Sequence, residues 1–260
     1  MQLTIANVST QVTHKEFRAA VAAIGKQVTL HFKPEWGVGA TLKAIALPLG
    51  AKKAPIQRGA DAVIYLGDSS SDSNTGVKGA YGYHDTNNKR IPYGFVYLDI
   101  CAESKEIWTS VLSHEVMELL ADPDAVLTVS GPRPKHASGP KPKHITGTVY
   151  YDLEVCDPTQ GDQYKIDKIV VSNFVGRRYF GMSGGSGKTN YLGLPLRAFG
   201  VRPNGYLQFE QGSRGHQIWG PSVTPAQKRA KKKTRSIRRN GRRIARLPPG
   251  APSSAQSHRA

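Results

Sequence analysis

Cysteine is nearly absent from this chain: Cys101 and Cys156 are the two in 260 residues, and no C-x-x-C pair occurs. A disulfide scaffold and a four-thiolate zinc ribbon are thereby excluded as the basis of the fold. No apolar run approaches the roughly 18 residues of a membrane-spanning helix, so no membrane partner is expected. The first residues, MQLTIANVSTQVTHKEF, lack a charged segment followed by an apolar core. No signal peptide is expected there, which points to a cytoplasmic location. Acidic residues are missing altogether from Pro221 to Ala260, where 12 of the 36 Lys and Arg fall. The first 220 residues then carry 24 basic against 19 acidic side chains, so most of the net charge of +17 belongs to the last 40. Like charges at that density repel. The expected organisation is one domain at 1–220 and a disordered basic tail at 221–260.

A different absence marks the stretch Ile107 to Ala121, IWTSVLSHEVMELLA, which contains no Lys or Arg. At about 100° per residue, Trp108, Leu112, Val116, Leu119 and Leu120 fall in one apolar sector of a helix. His114 and Glu118, four apart, share a neighbouring stripe, and Glu115 points between the two. Burying an unpaired carboxylate costs several kcal/mol (order of magnitude), so something positive must approach this face. A divalent metal fits, because His and Glu at i and i+4 reach one ion from the same side. The alternative is a buried helix whose His and Glu pair with Arg or Lys from elsewhere. In the metal reading His114-Glu115-Val116-Met117-Glu118 is the zinc-peptidase pattern H-E-x-x-H with Glu in place of the second His. Glu115 is then the general base that takes a proton from a water the metal activates.

Around this helix the chain reads as strand, helix and four more strands. Leu3 to Val8 and Thr13 to Ile24 form a strand and a helix that Gly25 ends. Gln27 to Phe32 alternates as a strand, broken by Pro34 to Gly37. Ala40 to Leu47, Ala60 to Leu66 and Gly94 to Ile100 are further strands, so a mixed sheet with the central helix across it is expected. His84-Asp85, closing GAYGYHD, reads either as a rim pair that binds substrate or orients a ligand, or as a turn with a surface His. The near-repeat GPRPKH and GPKPKH places a Pro/Gly-rich basic insertion at 131–147. Val149 to Asp157 resumes as a strand, in which Glu154 is the natural third ligand, with Asp157 its competitor or a residue that orients the ligands. GMSGGSGK (181–188) lacks the glycine and helix of a phosphate-binding loop and reads as a flexible glycine loop.

Ser113-His114-Glu115-Val116-Met117-Glu118, ending in Ala121-Asp122-Pro123 and followed by Glu154-Val155-Cys156-Asp157, resembles zincin-like metallopeptidases. The same block is locally similar to phosphate-induced (exordium-like) plant proteins. QVTLHFKPEWG, GYHD, VSNFVGRRYF and the Leu-Gly-Leu-Pro to Pro-Asn-Gly-Tyr stretch resemble uncharacterised bacterial and phage-associated proteins with this helix. The resemblance spans most of 1–220 and none of the tail. It implies an α+β, zincin-like fold: a mixed sheet with a central metal-binding helix, His114 and Glu118 as ligands, Glu115 as base, and Glu154 or Asp157 as the ligand from downstream.

The function expected is therefore a zinc-dependent hydrolase, a metallopeptidase acting on a peptide or protein laid along a sheet edge. The alternative is a non-enzymatic, metal-stabilised phage structural or nucleic-acid-associated protein, located in the virion. In that case the basic segment 228–246 (Lys231, Lys232, Lys233, Arg235, Arg238, Arg239, Arg242 and Arg243) would bind DNA or RNA by displacing counterions.

Overall fold

A computed structural model describes residues 1–46, 60–71, 82–87, 90–134, 148–211, 214–229, 231 and 245–247. Five strands form the first sheet: β1 (Gln2–Asn7), β2 (Thr41–Ala46), β3 (Ala62–Gly67), β4 (Gly82–Thr86) and β5 (Pro92–Tyr97), in the order β2-β1-β3-β5-β4. The pairs β1/β2, β1/β3 and β3/β5 are parallel, while β4 joins the edge of β5 antiparallel. Leu3, Ile5, Ile64, Leu66 and Val96 point to the main core, and Ala6, Val63 and Tyr65 form a small cluster on the opposite face. The period-2 alternation that makes these runs strands thus buries both faces.

The helix after β1, α1 (His14–Lys26), starts at a capping box in which Thr13 Oγ1 accepts the Glu16 N–H and Glu16 Oε2 accepts the Thr13 N–H. Gly25 does not end it. The chain runs on through a π-helical segment (Gln27–Phe32) and the turn α2 (Lys33–Trp36), stopping at left-handed Gly37 (φ 73°). The expected strand at Gln27 to Phe32 is therefore corrected. Val28 and Phe32 are buried while Leu30 is 63% exposed, so the apolar spacing that matters is four, not two. Trp36 Nε1 donates to Val175 O at 2.9 Å, and Gln27 Nε2 to Ser172 O at 2.7 Å, which fasten this helical run to the later chain.

The glycine loop at 181–188 wraps a carboxylate from that turn. Glu35 accepts the Arg177 N–H at 2.9 Å and the Ser186 N–H at 2.6 Å. A Cβ on Gly185 (φ 72°) would stand 2.3 Å from Glu35 Oε1, so the glycine is required by approach as well as by backbone angle.

Beyond β5, the short helix α3 (Leu98–Glu103) replaces the expected end of that strand, and the central helix α4 (Trp108–Ala121) follows. Every residue of α4 from Thr109 to Ala121 is buried, its polar stripe included. Ser113 Oγ donates to Ser110 O (2.9 Å) and accepts the Ser172 N–H (2.7 Å), and Thr109 Oγ1 donates to Val170 O (2.6 Å). These bonds lock α4 against β9 (Ile169–Ser172), the antiparallel partner of β8 (Gln163–Ile166).

A second five-stranded sheet, of order β11-β10-β7-β6-β12, comprises β6 (Leu127–Gly131), β7 (Val149–Asp152), β10 (Tyr206–Gln211), β11 (Arg214–Trp219) and β12 (Ala245–Leu247). The strand expected over Val149 to Asp157 ends at Asp152, and Asp157–Thr159 is a 3-10 turn. Of the segment 221–260, expected to be a disordered tail, most lies outside the described residues. Residues 225–229 are helical, capped by reciprocal backbone-to-side-chain bonds between Thr224 and Gln227, and β12 pairs in parallel with β6. Most of the 131–147 insertion lies outside the described residues. The chain is thus a mixed α+β protein, and no helix among the described residues is long and apolar enough to cross a membrane.

Candidate metal centre

The sequence places His114 and Glu118 one turn apart on α4, and the fold brings residues 153–157 against that turn. His114 Nε2 lies 3.2 Å from Glu118 Oε1 and 3.2 Å from Asp157 Oδ1. Neither approach is aligned as a hydrogen bond, and both His114 Nε2 and Asp157 Oδ1 are buried without one among the described residues. Donor atoms about 2.0–2.1 Å from a tetrahedral zinc stand about 3.3 Å from each other, so this spacing suits three ligands around one small ion.

Buried His, Cys and carboxylate groups here form three overlapping clusters whose donor atoms lie within 4.8 Å of one another. They are His114, Glu118 and Cys156; His84, Glu115 and Glu118; and Glu118, Glu154 and Asp157. Glu118 belongs to all three. Glu154 and Asp157 both sit among these donor groups, with Asp157 the one that approaches the His114 ring. The reason is the early end of β7: released from alternation, Glu154, Cys156 and Asp157 all turn inward, and the Cys156 N–H donates to Glu118 Oε1 at 3.2 Å. His114, Glu115, Glu118, Glu154 and Asp157 are each no more than 4% exposed.

Such crowding of carboxylates alters the titration of its members. Burial lowers the His114 pKa, but Glu118 and the contacts with Asp157 and Glu118 outweigh it and raise the value to about 10, while Lys231 opposes them. Asp157 is raised by burial and then by Glu118, against the pull of Lys231 and His114. Without a metal the centre thus retains a proton. Burial, followed by the charges of Glu118 and Asp157, holds the Cys156 thiol well above its usual range, so it stays protonated.

His84 and Asp85 sit on β4 rather than in a turn, and both are buried. His84 Nε2 faces the Asp122 carbonyl at 3.2 Å; since a carbonyl only accepts, that nitrogen carries the hydrogen. His84 Nδ1 consequently faces Glu115, 3.7 Å from Oε2. Gly82 leaves room here, because a Cβ there would stand 2.8 Å from Phe95 O and 2.9 Å from Glu115 Oε1. Asp85 belongs to none of the clusters and accepts the Thr86 N–H instead.

Sequence reasoning missed two members of the centre. Tyr206, on β10, is buried, and its phenol is pushed well up by burial and by the charges of Asp157 and Glu118, so it keeps its proton beside them. Lys231, expected to contact nucleic acid, is buried instead, with Nζ 3.7 Å from Asp157 Oδ1 and 4.9 Å from the centre of the Tyr206 ring. The absence of a cation on α4 was the available signal for it. Lys232, Lys233, Arg235, Arg238, Arg239, Arg242 and Arg243 lie outside the described residues. Comparison of the chain with family models, with curated proteins and with solved structures yields no match.

Proposed function

We propose that the protein is a zinc-dependent hydrolase acting on peptide bonds, organised on the zincin-like plan its sequence resembles. The observation that carries this reading is the buried His114 Nε2, 3.2 Å from two carboxylate oxygens with no hydrogen bond aligned to either. Under it His114, Glu118 and Asp157 hold the ion, with Glu154 the further carboxylate at the centre. Zinc in such a site supplies Lewis acidity and lowers the pKa of a coordinated water to about 7. Glu115, adjacent in sequence to His114, accepts the proton of the attacking water and returns it to the leaving amine. His84, fixed on the Asp122 carbonyl, positions Glu115. An extended peptide would lie along a sheet edge beside the helix. Elemental analysis of purified wild type and Glu115→Gln tests this: both should hold zinc, and the variant should lose peptide turnover. Unchanged hydrolysis by Glu115→Gln would remove the mechanism.

The depth of the cluster favours a second reading, since a centre this closed also serves as a structural brace. The function would then reside in the basic segment 228–246, holding DNA or RNA. Joint replacement of Arg238, Arg239, Arg242 and Arg243 by Ala should reduce retention on nucleic acid and flatten its salt dependence by about 4 in log–log slope. Retention unchanged by that replacement would dismiss this reading.

A further inference from the structure

Lys231 takes no part in the hydrolysis proposed above, yet among the described residues it is the buried cation that reaches the centre. Its Nζ approaches Asp157 Oδ1, the same oxygen that faces His114 Nε2, at 3.7 Å. The face of Tyr206 closes the pocket on the ammonium, whose centroid distance of 4.9 Å is that of a cation–π contact. A lysine is rarely buried unless such partners are built around it. The segment that delivers it is held at several points. Thr224 and Gln227 cap residues 225–229, Lys228 Nζ lies over Trp219 at 5.8 Å, and further on β12 joins β6.

We propose that Lys231 is an internal cation that competes with a divalent metal for Asp157, so that the docked C-terminal extension restrains loading of the centre. The inference rests on the metal reading of the previous subsection. A dication on Asp157 and an ammonium beside the same carboxylate repel each other strongly in a site shielded from water. The flexible four-carbon stem of lysine lets the ammonium withdraw when the metal enters. Linkage makes the effect mutual: the factor by which docking weakens metal binding is the factor by which metal loosens docking.

The test uses the full chain, zinc as the probe, and competition against a chelator of known affinity. Lys231→Met keeps the buried stem and removes the charge, and should bind zinc at least about tenfold tighter than wild type. Lys231→Arg keeps the charge and should bind no tighter than wild type. Wild type alone supplies the reciprocal measurement: zinc should speed amide hydrogen exchange across 225–231, whether or not the Met variant folds. Equal zinc affinity in wild type and Lys231→Met, or exchange at 225–231 unmoved by zinc, overturns the competition and leaves the metal centre standing. No zinc uptake by either protein overturns both.

Discussion

Zinc binding should depend steeply on pH, because the metal-free centre holds a proton among the ligands. Burial acts to lower the His114 pKa, yet Glu118 and Asp157 carry it to about 10, against 6.5 for a free imidazole. A ligand must shed its proton to bind a metal. Between pH 6.5 and 8.5 each zinc therefore displaces about one proton, and apparent affinity rises about tenfold, or about 1.4 kcal/mol, per pH unit. The metal-free fold moves in the opposite direction. With the folded pKa of His114 raised, its contribution is complete below the unfolded value of 6.5 and is lost as pH rises through about 10. Across that window this group alone lowers the unfolding free energy by up to about 1.4 kcal/mol per pH unit. Asp157 is raised as well, so it contributes with the same sign at lower pH. Urea unfolding at pH 6.5, 7.5 and 8.5, in chelator and at one buffered free zinc concentration, separates the two trends. The stabilisation by zinc should widen by about 1.4 kcal/mol at each step. A gain constant over those three values would show that no proton leaves the centre, and would refute the assignment of His114 as a ligand.

Glu118→Gln keeps an acceptor for the Cys156 N–H but removes the charge common to all three clusters, so zinc affinity by chelator competition should fall about 100-fold or more. Ser113→Ala strands the buried Ser172 N–H, which should cost about 1–3 kcal/mol in urea unfolding with zinc stoichiometry unchanged. Gly185→Ala drives a methyl group against Glu35 at a positive φ and should cost roughly 1–3 kcal/mol, again without touching zinc affinity. Gly82→Ala drives a methyl group against the Phe95 carbonyl as well as Glu115, so it should cost roughly 1–3 kcal/mol in urea unfolding besides cutting peptide turnover, while zinc binding persists.

What could be read beforehand followed from periodicity and punctuation. Helix α4, the parallel strands β1, β2 and β3, and the start of β5 announce themselves by their apolar patterns, with Gly or Pro close to the ends of β2, β3 and β5. The error at Gln27 to Phe32 arose because Val28, Leu30 and Phe32 satisfy a strand and a helix nearly equally; only the contact of Phe32 with Trp36 and Phe174 decides between them. Residues 153–157 were misread as strand for a related reason. Alternation separates Glu154 from Asp157, whereas the fold turns both to one ion-sized space by stopping β7 at Asp152. His84 was ambiguous because its role depends on the Asp122 carbonyl, 38 residues away. In the sequence Lys231 looks like its neighbours in the basic run, a contact for nucleic acid. That one lysine of a basic run is buried follows from Asp157 and Tyr206, which no local pattern connects to it.

The centre lies where the layers meet. Helix α4 spans from the β4 and β5 edge of the first sheet to β9, and residues 153–157 arrive from the second sheet. A cation held by His114, Glu118 and Asp157 would therefore tie the helix to the chain leaving the second sheet, while His84 approaches Glu115 from the first. As a device for stability alone this is a poor choice, since replacing a buried ionic group by apolar side chains of similar volume is often neutral or stabilising by about 1–4 kcal/mol. A helix otherwise built of Val, Leu and Met could have packed this junction with more of the same. Keeping four carboxylates, two imidazoles and an ammonium at one junction imposes a cost that the fold does not require. The residues that bear that cost are those that can hold a metal, move a proton, or keep the metal out. That cost favours the hydrolase proposed above over a structural brace.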